Sequence, residues 1–426
     1  MMKSKGWALA IIFCVFLYFC FSSLNAIAQS KSTQRSADIV IQRNNPYRRS
    51  NSTLLTSVLA HIKSGYVANR TPTFDTPPLL VLFSCRQPNA CGSFEERLMS
   101  LTTAYVFALV WDGAAFGIDM DAPVKFDWYF EMTLGSMSMN EGQIEFYLDN
   151  DAIADQSTLL DIDSMSTEEL QSTDFMAKYR QENVKILRCG KWDTWTALLD
   201  NPSVWRHRDK YQLQKLNPSE VFWVVHQILF RKPSSWLEGH LASYRDLMGG
   251  SMYTDPIQKP PVPDDSVQHR WMRVGIHLKT SIQEDIDCVA ARAAFVCRGA
   301  QVMGKECHVF LSAPSQDIIQ ALQKAIQKRS QKDRRTIIHA VSESYEFIPA
   351  ASMIQSPSVQ LSEEQRVKLM YARPIMDWTI LSRMDYLIGG HGDLFLKTAA
   401  AAAQVETGLY QVGSDEECKI EPMTSW

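Results

Sequence analysis

The chain has 426 residues, enough to bury a large core in about two or three domains. Apolar residues make up 46% of it, which is the composition of a globular protein rather than a disordered one. The 43 basic and 47 acidic side chains leave a net charge of −4, so the composition gives no support for nucleic-acid binding.

The N-terminal segment carries a secretory signal. Lys3 and Lys5 precede an uncharged stretch, residues 6–30, whose apolar part reaches the length of a membrane span when it is counted through Ala28. Two interpretations stay open. An uncleaved anchor at residues 1–28 would keep both lysines in the cytosol, as the positive-inside rule predicts. Alternatively, a signal peptidase cleaves near Ala28 and the chain is released.

Residues 29–76 are polar and are predicted to form a stem. They contain two N-glycosylation sequons, which begin at Asn51 and Asn69. Because these sequons follow directly after a secretory signal, they predict that the folded part of the chain is lumenal or extracellular.

Seven of the nine cysteines lie beyond the apolar segment, and an odd number leaves at least one unpaired in a monomer. Cys85 and Cys91 bracket a short loop and are candidates for a disulfide. Cys288 and Cys297 lie on one predicted helix, where about 13 Å separates them, too far for a disulfide. None of the cysteine spacings matches a zinc site, so we predict no metal.

The first lobe, residues 77–265, opens with the β-loop-α-β unit of an α/β fold. The tryptophan-rich region 192–236 has helical stretches and is predicted to lie mainly in the core. Prolines concentrated in residues 252–265 break regular structure and predict a linker between lobes. The predicted elements of this lobe are strands at 79–84, 115–119 and 184–187 and a helix at 94–110.

The second lobe, residues 266–426, alternates strands with helices, which predicts a parallel sheet with helices on both faces. A long helix begins at Ser362, and Pro374 is expected to kink or divide it. The predicted strands are 273–278, 307–311, 336–340, 386–388 and 409–412, and the other predicted helices are 285–299, 317–328 and an alanine-rich one after residue 393.

A glycine-rich turn stands between the strand at 386–388 and the alanine-rich helix. Gly389, Gly390 and Gly392 allow the backbone to turn sharply and to approach a ligand closely. Asp393 is placed to cap the helix. A strand, a glycine turn and a helix N-terminus form the arrangement in which α/β proteins hold phosphate. The alternative is a packing turn that binds no ligand.

The segment that contains this turn resembles a known family. Asp377, Leu381-Ser382 and Asp385, followed by an apolar strand and a small-residue turn, are similar to the C-terminal nucleotide-binding segment of the fucosyltransferase superfamily. The resemblance implies an α/β GT-B fold, with two Rossmann-like lobes facing a cleft, and GDP-fucose as the donor. It implies that Asp377 accepts hydrogen bonds from the guanine. The other residues implied to bind the donor here are Ser382, Gly390, His391, Gly392 and Asp393.

A second segment, residues 91–98, also resembles this family, because it is similar to the family's loop after the first strand. Gly92 and Arg97 match that loop and are implied to bind the donor. Ser93 and Glu95 stand where the family has glycines. The alternative for this loop alone is an ordinary helix N-terminus, with a serine cap and an acid in the capping-box position.

Residues 274–280 resemble the family's strand end that holds the donor pyrophosphate. His277 matches a histidine of the family, and Lys279 stands where the family has an arginine. Both are implied to be catalytic, with Lys279 neutralising the departing GDP. A lysine supplies the positive charge without the planar two-pronged geometry of an arginine. Without the resemblance, these residues would be interpreted as a core histidine and a surface charge.

The sequence therefore predicts an enzyme that moves fucose from GDP-fucose to a hydroxyl of a glycan acceptor with inversion, without a cofactor. Glu96 and Asp127 are candidate general bases. The resemblance also implies a Golgi membrane protein of single-pass type II topology with a lumenal catalytic domain, which favours the anchor over secretion. The alternative is a catalytically degenerate lumenal protein on the same fold, which binds a glycan or a partner.

Overall fold

The computed structural model describes the chain between residues 52 and 422, with gaps. The described ranges are 52–68, 80–85, 92–111, 114–120, 124–132, 157–161, 165–178, 184–188, 194–248, 271–330, 336–341, 362–390, 392–404, 406–412 and 418–422. No helix within these ranges is long and apolar enough to cross a membrane. The predicted anchor at residues 1–28, the predicted linker 252–265 and His391 lie outside the described residues.

The strands of the described ranges form two main sheets and one short antiparallel pair. In chain order they are β1 (Leu80–Cys85), β2 (Ala115–Met120), β3 (Phe130–Glu131), β4 (Ser157–Asp161), β5 (Val184–Arg188), β6 (Lys232–Pro233), β7 (Trp271–His277), β8 (Glu306–Ser312), β9 (Thr336–Ala340), β10 (Tyr386–Gly390), β11 (Glu406–Val412) and β12 (Cys418–Pro422). The short pair joins β3 to β6.

The first sheet has the order β2-β1-β5-β4, and all its strands are parallel. Its central strand β1 is apolar, and Val81, Leu82 and Phe83 are buried, as expected of a strand in a parallel sheet that is covered on both faces. The three strands predicted for this lobe are present. Strand β4 was not predicted, because its five residues lie in an acidic, polar stretch that shows no clear strand pattern.

The second sheet has the order β12-β11-β10-β7-β8-β9. All neighbouring pairs are parallel except β11 with β12. The register brings His277 at the end of β7 opposite Ser312 at the end of β8 and opposite Gly389 near the end of β10. The carboxyl ends of three neighbouring strands therefore meet at one edge, which is where ligands bind in parallel α/β sheets.

Twelve α-helices lie in the described ranges. They are α1 (Ser52–Ala68), α2 (Phe94–Val110), α3 (Thr167–Ser172), α4 (Phe175–Lys178), α5 (Thr194–Leu199), α6 (Trp205–Lys210), α7 (Pro218–Leu229), α8 (Ser235–Leu241), α9 (Gln283–Val302), α10 (Gln316–Ser330), α11 (Glu363–Leu381) and α12 (Leu394–Ala403). Helices α9 and α10 pack on the second sheet, where their apolar faces cover β7 and β8.

Helix α1 corrects the predicted stem. Its side chains Leu55, Val58, Leu59 and Ile62 are buried in the first lobe's core, and the helix packs on α7. The spacing of these four residues is that of one apolar helix face. Residues 52–68 are therefore part of the folded domain, and the polar composition of the surrounding segment concealed them.

Helix α12, the predicted alanine-rich helix, follows β10 in the second lobe but packs against α2 and α7 of the first lobe. Ala399, Ala400 and Ala401 are fully buried, and their small side chains allow the helices to approach closely. Trp378 of α11 packs beside it, and its indole Nε1 donates a hydrogen bond to Thr398 Oγ1 at 2.9 Å. One apolar cluster therefore includes residues of both lobes.

Helix α11 continues through Pro374 as one helix, so of the two outcomes expected for this proline, a kink or a division, the division does not occur. The helix begins as predicted after Ser362, whose side chain and that of Gln365 form a reciprocal capping box. Burial of Met376 and Trp378 on the C-terminal side of the proline gives a physical reason for its continuation.

The structure contains a disulfide bond that the sequence analysis did not predict. Cys297 on α9 is bonded to Cys307 at the start of β8, with the two Cα atoms 5.2 Å apart. This agrees with the prediction that Cys288 and Cys297 are too far apart to join. Cys85 is disulfide-bonded, whereas its predicted partner Cys91 lies outside the described residues.

Candidate active site

A cavity of 630 Å³ lies between the two lobes, over the carboxyl ends of β7 and β8 and beside the N-terminus of α2. One side is polar and comes mainly from the second lobe. The other side is apolar and comes mainly from the segment after β2. The polar side includes Arg97, His277, Lys279, Ser312, Arg373 and Asp377, and the apolar side includes Met120, Val124, Phe126 and Phe130.

The pair formed by His277 and Asp393 is the central contact at the strand edge. His277 Nδ1 hydrogen-bonds to Asp393 Oδ2, and both side chains are buried. The imidazole also stacks on Phe395 of α12, with the ring centres 4.6 Å apart. A methyl group at Gly389 would lie 2.8 Å from the His277 carbonyl oxygen, so glycine is needed for this close approach.

Asp393 is the N-cap of α12, as the sequence predicts. Its Oδ1 accepts hydrogen bonds from the backbone N–H of Phe395 at 3.1 Å and of Leu396 at 3.4 Å. The same oxygen lies 3.3 Å from Lys279 Nζ. Burial alone would raise the pKa of Asp393, but His277 and Lys279 together lower it below its ordinary value. Asp393 is thus a carboxylate with all its charge compensated from within the chain.

Asp377 is in the opposite situation. Its Oδ2 accepts a hydrogen bond from Ser312 Oγ at 2.8 Å, whereas its buried Oδ1 has no partner among the described residues. Burial raises the pKa of Asp377 from 3.8 to about 7, although Arg373, Ser312 and His277 act against the rise. Asp377 is also one of the residues that line the cavity, so its unpaired oxygen belongs to a side chain of the cavity wall.

Two buried arginines add positive charge to the cavity wall. Arg97, on the first turn of α2, donates from Nε to the carbonyl oxygen of Gly92 at 3.1 Å. Gly92 has φ +69°, and a methyl group there would overlap the Glu96 carboxylate, so the turn requires glycine. Arg373, on α11, lies four residues before Asp377 and therefore on the same side of the helix.

The segment of the first lobe that follows β2 gives the cavity an apolar lining. Met120, Val124, Phe126 and Phe130 are all buried. Tyr129 lines the same side, but its hydroxyl is engaged, because it donates a hydrogen bond to the Lys368 carbonyl oxygen at 2.8 Å. These described side chains offer a ligand apolar surface and few hydrogen-bonding groups.

The structure places five of the predicted site residues on the cavity wall: Gly92, Arg97, His277, Lys279 and Asp377. Asp393 contacts two of them. Gly390 ends β10, and Gly392 is exposed with φ +76°; neither lines the cavity.

Ser382 lies apart from the cavity. It is buried at the C-terminal end of α11, its Oγ donates to the Thr379 carbonyl oxygen at 2.7 Å, and it does not line the cavity. Its position is that of a residue that ends the helix. Asp385 is also structural, because its two oxygens accept hydrogen bonds from the Arg273 guanidinium at 2.9 and 2.6 Å.

The two candidate general bases lie outside the cavity wall. Glu96 accepts a hydrogen bond from the backbone N–H of Ser93 at 2.6 Å, and the Glu96 N–H bonds to Ser93 Oγ in return. This is a capping box, the alternative interpretation given for this loop. Asp127 is exposed and does not line the cavity.

Sequence reasoning missed Ser312, Arg373 and, as a cavity residue, Glu95. Ser312 could have been found, because it directly follows the predicted strand 307–311, next to the strand that ends at His277. Arg373 shows the helical spacing of four residues from Asp377. Glu95 was noted only as a replacement of a family glycine.

No family model and no curated protein matches the sequence. Solved structures do match. An arginine-to-lysine mutant of Arabidopsis thaliana FUT1 in complex with GDP has 11% identity and a TM-score of 0.52, over 91% of this chain and 86% of that one. Fucosyltransferase NodZ from Bradyrhizobium has 14% identity and a TM-score of 0.42, over 81% of this chain and 99% of that one. The likeness to FUT1 shows that this chain has the same fold as that structure, which is the GT-B fold that the sequence predicts.

Proposed function

We propose that this protein is a fucosyltransferase that uses GDP-fucose as its donor and a glycan hydroxyl as its acceptor. The observation that carries the proposal is the buried, unpartnered Oδ1 of Asp377 on the wall of the cavity. A buried carboxylate oxygen without a partner is costly, so such a group in a cavity indicates a ligand that supplies donors. The GT-B fold and the GDP bound to FUT1 support the same conclusion.

Guanine fits this carboxylate because its Watson–Crick edge has two adjacent N–H donors. Ser312 already donates to Oδ2, so it orients the carboxylate and leaves Oδ1 for the base. Adenine lacks the second donor on that edge. The pair of Asp377 and Ser312 therefore favours guanine, and the ionised form of Asp377 is the one that binds it.

The diphosphate is assigned to the strand edge beside Lys279. The ammonium can neutralise the charge that builds up on the departing GDP. Arg97 provides a second positive charge on the cavity wall. In the reaction, the acceptor oxygen forms a bond to C1 of fucose while the bond from C1 to the phosphate oxygen breaks. The electron pair of the breaking bond leaves with GDP, and the proton of the acceptor hydroxyl passes to a base. Because the acceptor attacks from the face opposite to GDP, the configuration at C1 is inverted.

The acceptor is assigned to the apolar side of the cavity, where the C–H faces of sugar rings can pack on Phe126 and Phe130. We further propose the location that the N-terminal signal favours, a Golgi membrane with a type II anchor and a lumenal catalytic domain. Release after cleavage near Ala28 is the alternative location.

A second candidate is a non-catalytic protein on this fold that binds a glycan or a partner. One observation favours it. Lys279, the residue that would hold the diphosphate, is already paired with the carboxylates of Glu95 and Asp393. A protein that does not bind a diphosphate at this position has no need of an unpaired lysine there, so such pairing would cost it no function.

Calorimetric titration of the full chain with GDP and GDP-fucose tests the proposal. We expect the wild type to bind both, Asp377→Asn to lose guanine binding, and Lys279→Ala to weaken GDP about tenfold while leaving guanosine unchanged. Asp385→Asn is the matched control, since it makes the same change in a carboxylate outside the cavity and should bind GDP normally.

Turnover then separates the two candidates, because a transferase releases GDP from GDP-fucose in the presence of a glycan acceptor. GDP binding without turnover on any acceptor favours the non-catalytic candidate. Absence of GDP binding by a folded wild-type chain contradicts the donor-site assignment itself.

A further inference from the structure

The side chain of Lys279 bridges the two lobes at the cavity. Its Nζ lies 3.6 Å from Glu95 Oε1 on α2 of the first lobe and 3.3 Å from Asp393 Oδ1 in the second lobe. All three positions are at the polar side, where the donor diphosphate is assigned. Burial alone would lower the pKa of Lys279, but Asp393 and Glu95 raise it, so the ammonium stays charged and is shared by two carboxylates.

These two carboxylates are not equivalent. Asp393 is fixed by the N-cap bonds of α12 and by His277, so it cannot turn away without breaking a helix end. Glu95 has no part in a cap, because the capping box of α2 is formed by Ser93 and Glu96. Within the described part of the chain, the ion-pair partner of Glu95 is Lys279.

We propose that Glu95 competes with the diphosphate of the donor for Lys279, so that donor binding breaks this contact between the lobes. The proposal rests on the proposed function, since it assumes a nucleoside diphosphate at this site. It makes Glu95 a residue that sets the charge selectivity of the cavity. A nucleoside without phosphate enters with the contact intact, whereas a nucleoside diphosphate has to displace it.

Electrostatics gives the reason. A phosphate oxygen that reaches hydrogen-bond distance of Lys279 Nζ comes close to Glu95, since that carboxylate lies 3.6 Å from the same nitrogen. Like charges at such separations repel strongly where water is partly excluded. The side chain of Glu95 is 13% exposed and that of Lys279 is 53% exposed, so the solvent screens part of this repulsion and leaves the rest. Glu95 can relieve it by leaving Lys279, which then becomes available to the phosphate.

The test compares Glu95→Gln with Glu96→Gln by calorimetric titration of the full chain with guanosine and with GDP. Both substitutions remove one acid from the first turn of α2, so their long-range effects are matched. Glutamine also serves in a capping box, so Glu96→Gln keeps the helix start. We expect Glu95→Gln to bind GDP about tenfold more tightly than the wild type, with guanosine unchanged, and Glu96→Gln to leave both affinities unchanged.

A double-mutant cycle excludes an effect through folding. In a Lys279→Ala background there is no ammonium to compete for, so Glu95→Gln should no longer improve GDP binding. GDP affinity in Glu95→Gln that equals or falls below that of the wild type overturns the proposal and leaves the proposed function standing. An equal gain in Glu96→Gln, or a gain that persists without Lys279, also overturns it. If neither the wild type nor any variant binds GDP, both this proposal and the proposed function are overturned.

Discussion

Two buried carboxylates, sixteen residues apart in the sequence, define contrasting regions of the site. Asp393 has every charge compensation that the chain can give, namely two backbone N–H groups, an imidazole and an ammonium. Asp377 has one hydroxyl and an oxygen without a partner among the described residues. Their pKa values shift in opposite directions, down for Asp393 and up to about 7 for Asp377.

The contrast teaches which of the two acids is available for a ligand. A compensated carboxylate stabilises the fold and repels an anion, so Asp393 serves to hold the turn, His277 and Lys279 in place. An uncompensated carboxylate costs stability until a ligand supplies hydrogen bonds. Asp377 therefore has the properties of a binding residue, although both acids stand in the segment that resembles the donor site of fucosyltransferases.

Loss of Asp393 should give the largest effect on stability. We expect Asp393→Ala to lower the free energy of unfolding at pH 7 by about 3 to 4 kcal/mol, because it removes a helix cap and leaves the buried His277 without its partner. Asp393→Asn keeps a good N-cap residue and should lose only about half as much. Urea denaturation measures both values.

The pH dependence sharpens this prediction. A lowered folded-state pKa means that Asp393 stabilises the fold above its ordinary range and loses this contribution as the pH falls through that range. The gap between wild type and Asp393→Ala should therefore shrink below about pH 4. An asparagine variant as stable as the wild type would show that the ion pairs of Asp393 contribute nothing, and equal losses in the alanine and asparagine variants would show the same of the N-cap bonds.

Neutralising Asp377 should instead stabilise the protein. We expect Asp377→Asn to raise the free energy of unfolding at pH 8 by about 2 kcal/mol, since the cost of ionising the buried acid exceeds the cost of burying an amide. The folded-state pKa of about 7 lies above the ordinary 3.8, so the wild type loses stability as the pH rises between these values.

The increase in the free energy of unfolding that Asp377→Asn gives over the wild type should therefore be small near pH 4. It should grow up to pH 7 and stay constant above it. Thermal unfolding at a series of pH values checks this profile. A variant that is less stable than the wild type at pH 8 would contradict the assignment of Asp377 as an uncompensated buried acid.

The smallest effect is on affinity. If guanine binds the ionised form of Asp377, its affinity should fall as the pH drops below about 7, by about tenfold at pH 6. Guanosine is the right probe, because it carries no phosphate that titrates in this range. Calorimetry at pH 8, 7 and 6 measures the change, and Asp377→Asn, which is expected to lose guanine binding, should bind guanosine at none of these pH values. Affinity that rises on acidification would assign the guanine elsewhere.

The fold could be predicted from the sequence to a large extent. Short apolar strands such as β1 and β7, the periodic helix α2 and the glycine turn before α12 each carry a local pattern that tertiary packing reinforces. Strands β4 and β12 were missed, because pairing with a neighbouring strand fixes them more than any pattern of their own.

The site was predictable only in part. The spacing of Asp377, Ser382 and Asp385 resembles one motif, yet the structure gives these residues three different environments: the cavity wall, a helix end and an ion pair with Arg273. Linear spacing does not show which side of a helix end faces the cavity. Nor does it show that Glu95 comes within reach of Lys279, because that contact joins residues from different lobes.

Helix α12 belongs to the second lobe by its place in the chain and to the first lobe by its packing. Its buried alanines lie flush against α2 and α7, so no layer of solvent separates the lobes along this line. A hinge motion that separates the lobes would therefore have to disrupt the core that they share. We expect the two lobes to melt together, in one cooperative transition, and substrate entry to rely on movements of side chains and loops rather than of whole lobes.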